Sequence, residues 1–175
     1  MNITKKHICD FLSNHSKHVT HVAVLHTPFY MYNASEYRIE RMEEEARKQF
    51  WYFRRCFSQF LYGAKAHRKP RIYQPLMLTT IEGTRERNQK GLTIHYNIAL
   101  GNIPSELTTD ELREIVRHCW VDKAGMSKKK LYVEQAYTNR QAGWIHYTNK
   151  EAEQGNIETW DFSNTQIPYL ALKAD

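Results

Sequence analysis

The chain has 175 residues, 41% hydrophobic and 25% charged, which suits one domain with a sizeable core and is short for two. Its formal net charge of +6 and 13% aromatic content point toward a polyanionic partner. No apolar run reaches the roughly 18 residues of a membrane helix, and MNITKKHICDFLSNHSKH lacks the apolar stretch of a secretion signal. Cys9, Cys56 and Cys119 lack the spacing of a disulfide framework or a cysteine zinc site, and no GxxxxGK[ST] loop occurs. A single cytoplasmic domain over 1–175, without a membrane partner, is the expectation.

In chain order, residues 19–25 (VTHVAVL) alternate as a half-buried strand. His26 to Asn33, with Pro28, reads as a loop, and Asn33 with Glu36 makes a capping-box pattern. Ile39, Met42, Ala46, Phe50, Phe53, Phe57 and Phe60 recur every three or four residues. That predicts an amphipathic helix from about Ser35 to Tyr62, with Gly63 as its C-cap. Residues 63–71 (GAKAHRKPR) read as a basic loop. Residues 72–81 read as a strand, held to an edge position or its early part by Pro75. A turn over 83–91 leads to a strand over 92–100 (LTIHYNIAL), ended by Gly101, Asn102 and Pro104.

Thr108 and Glu111 form a second capping box, ahead of a helix with Leu112, Ile115, Val116, Cys119 and Trp120 on one side. A charged loop over 122–130 precedes a strand over 131–137, a helix over 139–151 capped by Asn139, and a last strand over 157–162. The order β, α, β, β, α, β, α, with one more β, predicts an α+β fold. It is an antiparallel sheet with packed helices, of the ferredoxin-like or split βαβ kind.

Alternation in LTIHYNIAL puts Ile94, Tyr96 and Ile98 on one face of the strand and His95 and Asn97 on the other, about 7 Å apart at Cα. The apolar set must face the core. Glu82 ends the preceding strand, and a hairpin through 83–91 can bring it beside His95. A carboxylate, an imidazole and an amide oxygen make an open site for Mg²⁺ or Mn²⁺, because hard cations take oxygen and Mn²⁺ also accepts nitrogen. Further along, WIHYTNKE sets Tyr147 and Lys150 at i and i+3 on one helical face. A tyrosine hydroxyl becomes a nucleophile only where a cation favours its ionised form, and Lys150 can lower that cost or orient a phosphate. Each residue also has a structural use: a hydrogen-bonded surface histidine, a solvated glutamate beside a turn, a tyrosine half in the core.

The strand motif HYN (His95, Tyr96, Asn97) followed by the helical YTNK (Tyr147 to Lys150) resembles the Rep-type HUH endonucleases, the initiators of rolling-circle replication. Residues 94–151 hold most of the resemblance. In that family a His-hydrophobe-His or His-hydrophobe-Gln strand and an acidic residue bind a divalent metal. A helical tyrosine cuts single-stranded DNA and becomes linked to the 5′ phosphate. The resemblance implies Glu82, His95 and Asn97 as metal ligands, with Asn97 where the family has His or Gln. It implies Tyr147 as nucleophile with Lys150 beside it, and Mn²⁺ or Mg²⁺ as cofactor. The implied partners are single-stranded or hairpin origin DNA and a separate helicase. The family's first motif, a short Phe/Leu-Thr strand, has no match in HVAVLHTP.

Charge fits the same substrate class. Between 63 and 90, Lys65, Arg68, Lys69, Arg71, Arg85, Arg87 and Lys90 stand against only Glu82 and Glu86, and the expectation is that they flank the metal hairpin. Lys128, Lys129 and Lys130 form a second cluster before the strand that leads to Tyr147. Competing readings are a nucleic-acid-binding module that does not cut, a regulatory relative with an impaired metal site, and a metal-dependent hydrolase of small molecules. The first shares the topology of RNA-recognition domains but has no RNP1-like pattern here.

Overall fold

The computed structural model describes residues 5–83, 93–136 and 159–169. Within them the order is α1 (Lys5–Ser16), β1 (Val19–Tyr30), α2 (Glu36–Tyr62), α3 (Ala64–Arg68), β2 (Leu76–Glu82), β3 (Thr93–Gly101), α4 (Thr109–Arg117) and β4 (Tyr132–Gln135). A π-helical turn, His118–Lys123, continues α4. The strands form one antiparallel sheet in the order β2-β3-β1-β4. Since β3 runs antiparallel to both its neighbours, β1 and β2 are parallel and joined through α2, with β3 inserted between them. By the same logic β1 splits β3 from β4. The fold is therefore α+β with two interleaved split βαβ units, as the sequence pattern predicts.

Strand parity divides the sheet into two faces. One carries Ala23, Leu25, Ile81, Ile94, Tyr96 and Ile98, all fully buried against Ala46, Phe50, Phe53 and Phe57 of α2, Leu112 and Val116 of α4, and Trp120. Aromatic rings fill its centre. Phe50 lies 4.2 Å from Tyr96, and Phe53 meets Trp120 edge-on at 5.4 Å. The opposite face holds a smaller apolar cluster at one end only: Val19, Leu76, Leu78 and Ala99, covered by Trp160 and by Phe11 of α1. Gly101 sits at that end, where a Cβ would lie 2.0 Å from the His18 carbonyl oxygen, so only glycine lets the two strands close.

Several boundaries differ from the sequence expectation. The N-terminal segment forms α1, which the sequence pattern does not announce. β1 runs on through Pro28 to Tyr30 instead of yielding to a loop at His26. Pro28 lies within a register shift between His26 and Tyr30, and the Thr27 hydroxyl donates to the Ile94 carbonyl at 2.7 Å there. The cap of α2 is Ser35, whose side chain accepts from the Arg38 N–H, and not Asn33. Asn33 takes a φ of 56° in the preceding turn, a conformation asparagine tolerates well. The basic loop contains the short helix α3. The Thr108–Glu111 capping box is present as expected. Of the expected last strand only residues from 159 on are described: there Trp160 makes an isolated bridge to Thr80, and further on Gln166 makes one to Met77, on the outer edge of β2. The expected helix over 139–151 lies outside the described residues.

That edge segment is pinned through Asp161, which is fully buried. Its carboxylate accepts from the Ser163 hydroxyl (2.6 Å), the Asn164 side-chain amide (2.6 Å) and the Tyr96 hydroxyl (3.3 Å), and pairs with Arg47 of α2 at 3.0 Å. Glu43, one turn before Arg47, holds the same guanidinium at 2.7 Å. Burial, then the neighbouring Asp161 charge, pushes the Tyr96 phenol well above its ordinary value, so Tyr96 stays a neutral donor. Removing one partner of a buried ion pair strands the other. Asp161→Ala is expected to cost about 3 kcal/mol in urea unfolding, and a loss under about 1 kcal/mol would contradict this anchoring role.

Candidate functional site

The far end of the second sheet face is polar. In register across three strands, Glu82 of β2 pairs with His95 of β3, and His95 pairs with His26 of β1. One rung further in, Thr80 pairs with Asn97, and Asn97 with Val24. Because Tyr96 must be buried on the helix side, His95 and Asn97 are forced to this side. The sequence-predicted juxtaposition of Glu82, His95 and Asn97 on adjacent strands is thus present. Glu82, Asn97 and Thr80 are each only 1% exposed, while His95 and His26 keep partial access.

The orientation of His95 is set by its other ring nitrogen. Nδ1 lies 3.1 Å from the Thr93 carbonyl oxygen, which can only accept, so Nδ1 carries the proton. Nε2 then turns its lone pair toward Glu82 Oε2, 3.5 Å away. With Nδ1 protonated, Nε2 and Glu82 Oε2 face each other as acceptors that a proton or a cation can bridge. An imidazole whose far N–H is tied to a backbone carbonyl is the usual arrangement of a metal-bound histidine. Asn97 Nδ2 is buried and has no partner among the described residues. A half-turn about χ2 exchanges it for the amide oxygen. Carboxylate, imidazole and amide oxygen suit Mn²⁺ or Mg²⁺, with water completing the shell. Among the described residues no three His, Cys, Asp or Glu side chains cluster as metal ligands.

Gly83 protects this orientation. It leaves β2 with φ 83°, and a Cβ there would lie 2.6 Å from the same Thr93 carbonyl oxygen that receives His95 Nδ1–H. Sequence reasoning passes over His26, treating it as loop. Its ring stacks on His95 with centroids 4.8 Å apart and planes 13° from parallel, and its Nδ1 meets the Thr93 hydroxyl at 2.7 Å. Burial, then the His95 ring and Lys130, lower its pKa to about 4, so it is neutral at neutral pH. The sequence signal was available: Val22, Val24 and His26 share one face if the alternation of VTHVAVL is simply continued.

The basic residues separate into two regions. Lys130 is near enough to act on His26, so the exposed cluster Lys128, Lys129 and Lys130 lies at this end of the sheet. Lys65, Arg68, Lys69 and Arg71 do not flank the Glu82–His95 pair, which corrects the expectation for them. They sit on or just after α3, ahead of Leu76, while Glu82 closes β2 six residues later, about 20 Å along the strand. The hairpin intervenes because β2 enters from α3 at one end of the sheet and meets His95 only at the other. Arg85, Arg87, Lys90, Tyr147 and Lys150 lie outside the described residues. Among the described residues no helix is long and apolar enough to cross a membrane.

No protein family, curated protein or solved structure matches this chain.

Isothermal titration with Mn²⁺ checks the donor set. One site is expected, abolished by Glu82→Gln or His95→Ala and weakened at least tenfold by Gly83→Ala, which forces the Thr93 carbonyl aside. Unchanged Mn²⁺ affinity in His95→Ala would rule out this assignment.

Proposed function

We propose that this protein nicks and rejoins single-stranded DNA in a metal-dependent reaction through a covalent 5′-phosphotyrosine, as an initiator of rolling-circle replication. The observation that carries the reading is the facing pair of Glu82 Oε2 and His95 Nε2 at 3.5 Å, with Asn97 on the next rung of the same sheet face. Its placement at the edge of the Lys128–Lys130 cluster supports a phosphodiester substrate.

In this reading Glu82, His95 and Asn97 hold a divalent cation, which when bound polarises the scissile phosphate and stabilises its developing charge. Thr93 keeps His95 in the tautomer whose Nε2 is free to coordinate. His26, neutral and stacked on His95, limits the ring's rotation. Tyr147 supplies the nucleophile: its phenolic oxygen forms a bond to phosphorus, the bond to the 3′ oxygen breaks, and the phenol's proton is passed on to the departing 3′ hydroxyl. Lys150 orients the phosphate and favours the ionised phenol. Reversal by a 3′ hydroxyl reseals a strand without ATP. Strand separation falls to a separate helicase.

Incubation with single-stranded oligonucleotides and Mn²⁺, followed by a denaturing gel, tests the proposal. A protein–DNA adduct is expected that disappears in Tyr147→Phe and on chelation. His95→Ala is expected to lower adduct formation at least a hundredfold while oligonucleotide binding persists. Salt-sensitive binding with no adduct across varied sequences would favour the non-cutting module instead.

A further inference from the structure

The charge of this chain is concentrated away from the candidate metal site. From Gln49 to Ile81 there is no Asp or Glu, and the six cations Arg54, Arg55, Lys65, Arg68, Lys69 and Arg71 equal the formal net charge of the whole chain, +6. The fold gathers this segment into the second half of α2, α3 and the entry to β2. Lys65, Arg68, Lys69 and Arg71 are exposed there, and so is Arg55.

Two adjoining clefts run along this surface. One, of about 190 Å³, is walled by Arg54, Arg55, Ser58 and Gln74. The other, of about 790 Å³, is walled by Tyr52, Phe60, Arg68 and Lys123. Gln59 and His67 line both, so the two form one continuous groove between α2 and α3. Among the described residues no carboxylate lines either cleft. Two aromatic rings that the core does not use line the larger cleft: Phe60 is 57% exposed and Tyr52 is 43% exposed. Arg55 lies over the Trp51 ring at 4.8 Å, which steadies the guanidinium at the edge of the smaller cleft.

Alternating cations and open aromatic faces fit a chain of phosphates with unstacked bases. A sulfated sugar or an acidic peptide would use the cations and leave the rings idle. A duplex would offer no free base faces to stack. The groove also lies on the helix layer, whereas Glu82, His95 and Asn97 occupy the other face of the sheet. A strand seated here does not reach them.

We propose that the groove between α2 and α3 is a second, non-catalytic binding site for single-stranded nucleic acid, with bases stacked on Phe60 and Tyr52 and phosphates on Arg55, Arg68 and Lys123. It holds a strand whether or not the metal site is occupied or competent.

Fluorescence anisotropy of a labelled twenty-nucleotide oligo(dT) in EDTA tests this on the full chain, with thermal melts confirming that each variant is folded. Wild type and His95→Ala are expected to bind alike. Arg55→Ala/Arg68→Ala is expected to weaken binding about tenfold and to reduce the salt slope by about one to one and a half. Phe60→Ala, which leaves the charge intact, is expected to weaken it at least fivefold. Arg55, Arg68 and Phe60 are all exposed, so folding is preserved. Wild-type affinity in the arginine double variant would overturn the site. Unchanged affinity in Phe60→Ala, or stronger competition by duplex DNA or heparin than by oligo(dT), would reduce it to plain polyanion attraction and overturn the single-strand assignment. Because this readout needs no metal and no cleavage, its failure leaves the adduct assay unaffected, and the converse holds.

Discussion

The register between β2 and β3 is the constraint on which the candidate site depends. Residues on a strand alternate faces, so a slip of one position would carry every side chain to the other side. Ile94, Tyr96 and Ile98 are held on the helix side by full burial against Phe50, Phe53 and Phe57. Tyr96 is fastened further, because its hydroxyl reaches Asp161, itself tied to Arg47 of α2. A slip would leave that carboxylate short of a donor and place His95 and Asn97 in the aromatic core. The hydrophobic set thereby fixes, from the other face of the sheet, where Glu82 and His95 meet.

The second sheet face shows how one surface serves two ends. Near Gly101 it is apolar and closed by Trp160 and Phe11. Near Glu82 it is polar, with Thr80, Asn97, His95 and His26 on neighbouring rungs. Ionisable groups in such a place are costly unless paired or neutral. His26 meets this by staying uncharged, its pKa lowered to about 4. His95 meets it by giving its Nδ1–H to a backbone carbonyl and facing a carboxylate with Nε2. The chemistry proposed for this end places a cation between that imidazole and that carboxylate.

Much of this was legible in the sequence, for identifiable reasons. Strand alternation in LTIHYNIAL needed only local pattern, and the hairpin beside it made the Glu82–His95 pairing a short-range inference. The long helix and its Gly63 cap followed from period and punctuation. What escaped was set by tertiary partners. Pro28 reads as a strand breaker, yet β1 passes it because the Thr27 hydroxyl takes over at the register shift, and His26 was lost with that reading. α1 is documented by a packing partner, Trp160, far away in sequence. The basic segment 63–71 is close to Glu82 in sequence and remote in space, since β2 lies between them. Asp161 gives no local sign of its burial, because the four residues its carboxylate meets come from α2, β3 and its own turn.

Two separated regions of positive charge, one at the Glu82–His95 end and one along α2 and α3, fit a protein that grips a long flexible polyanion at more than one point while acting on it at one. The central claim is that Glu82, His95 and Asn97 share a divalent cation. Anomalous diffraction at the manganese edge from a crystal soaked in Mn²⁺ tests it most directly. The account predicts a peak between Glu82 Oε2 and His95 Nε2, with the Asn97 side-chain oxygen turned toward it. A fully occupied peak elsewhere on the chain, with Glu82 and His95 bound to each other through a proton alone, would contradict it.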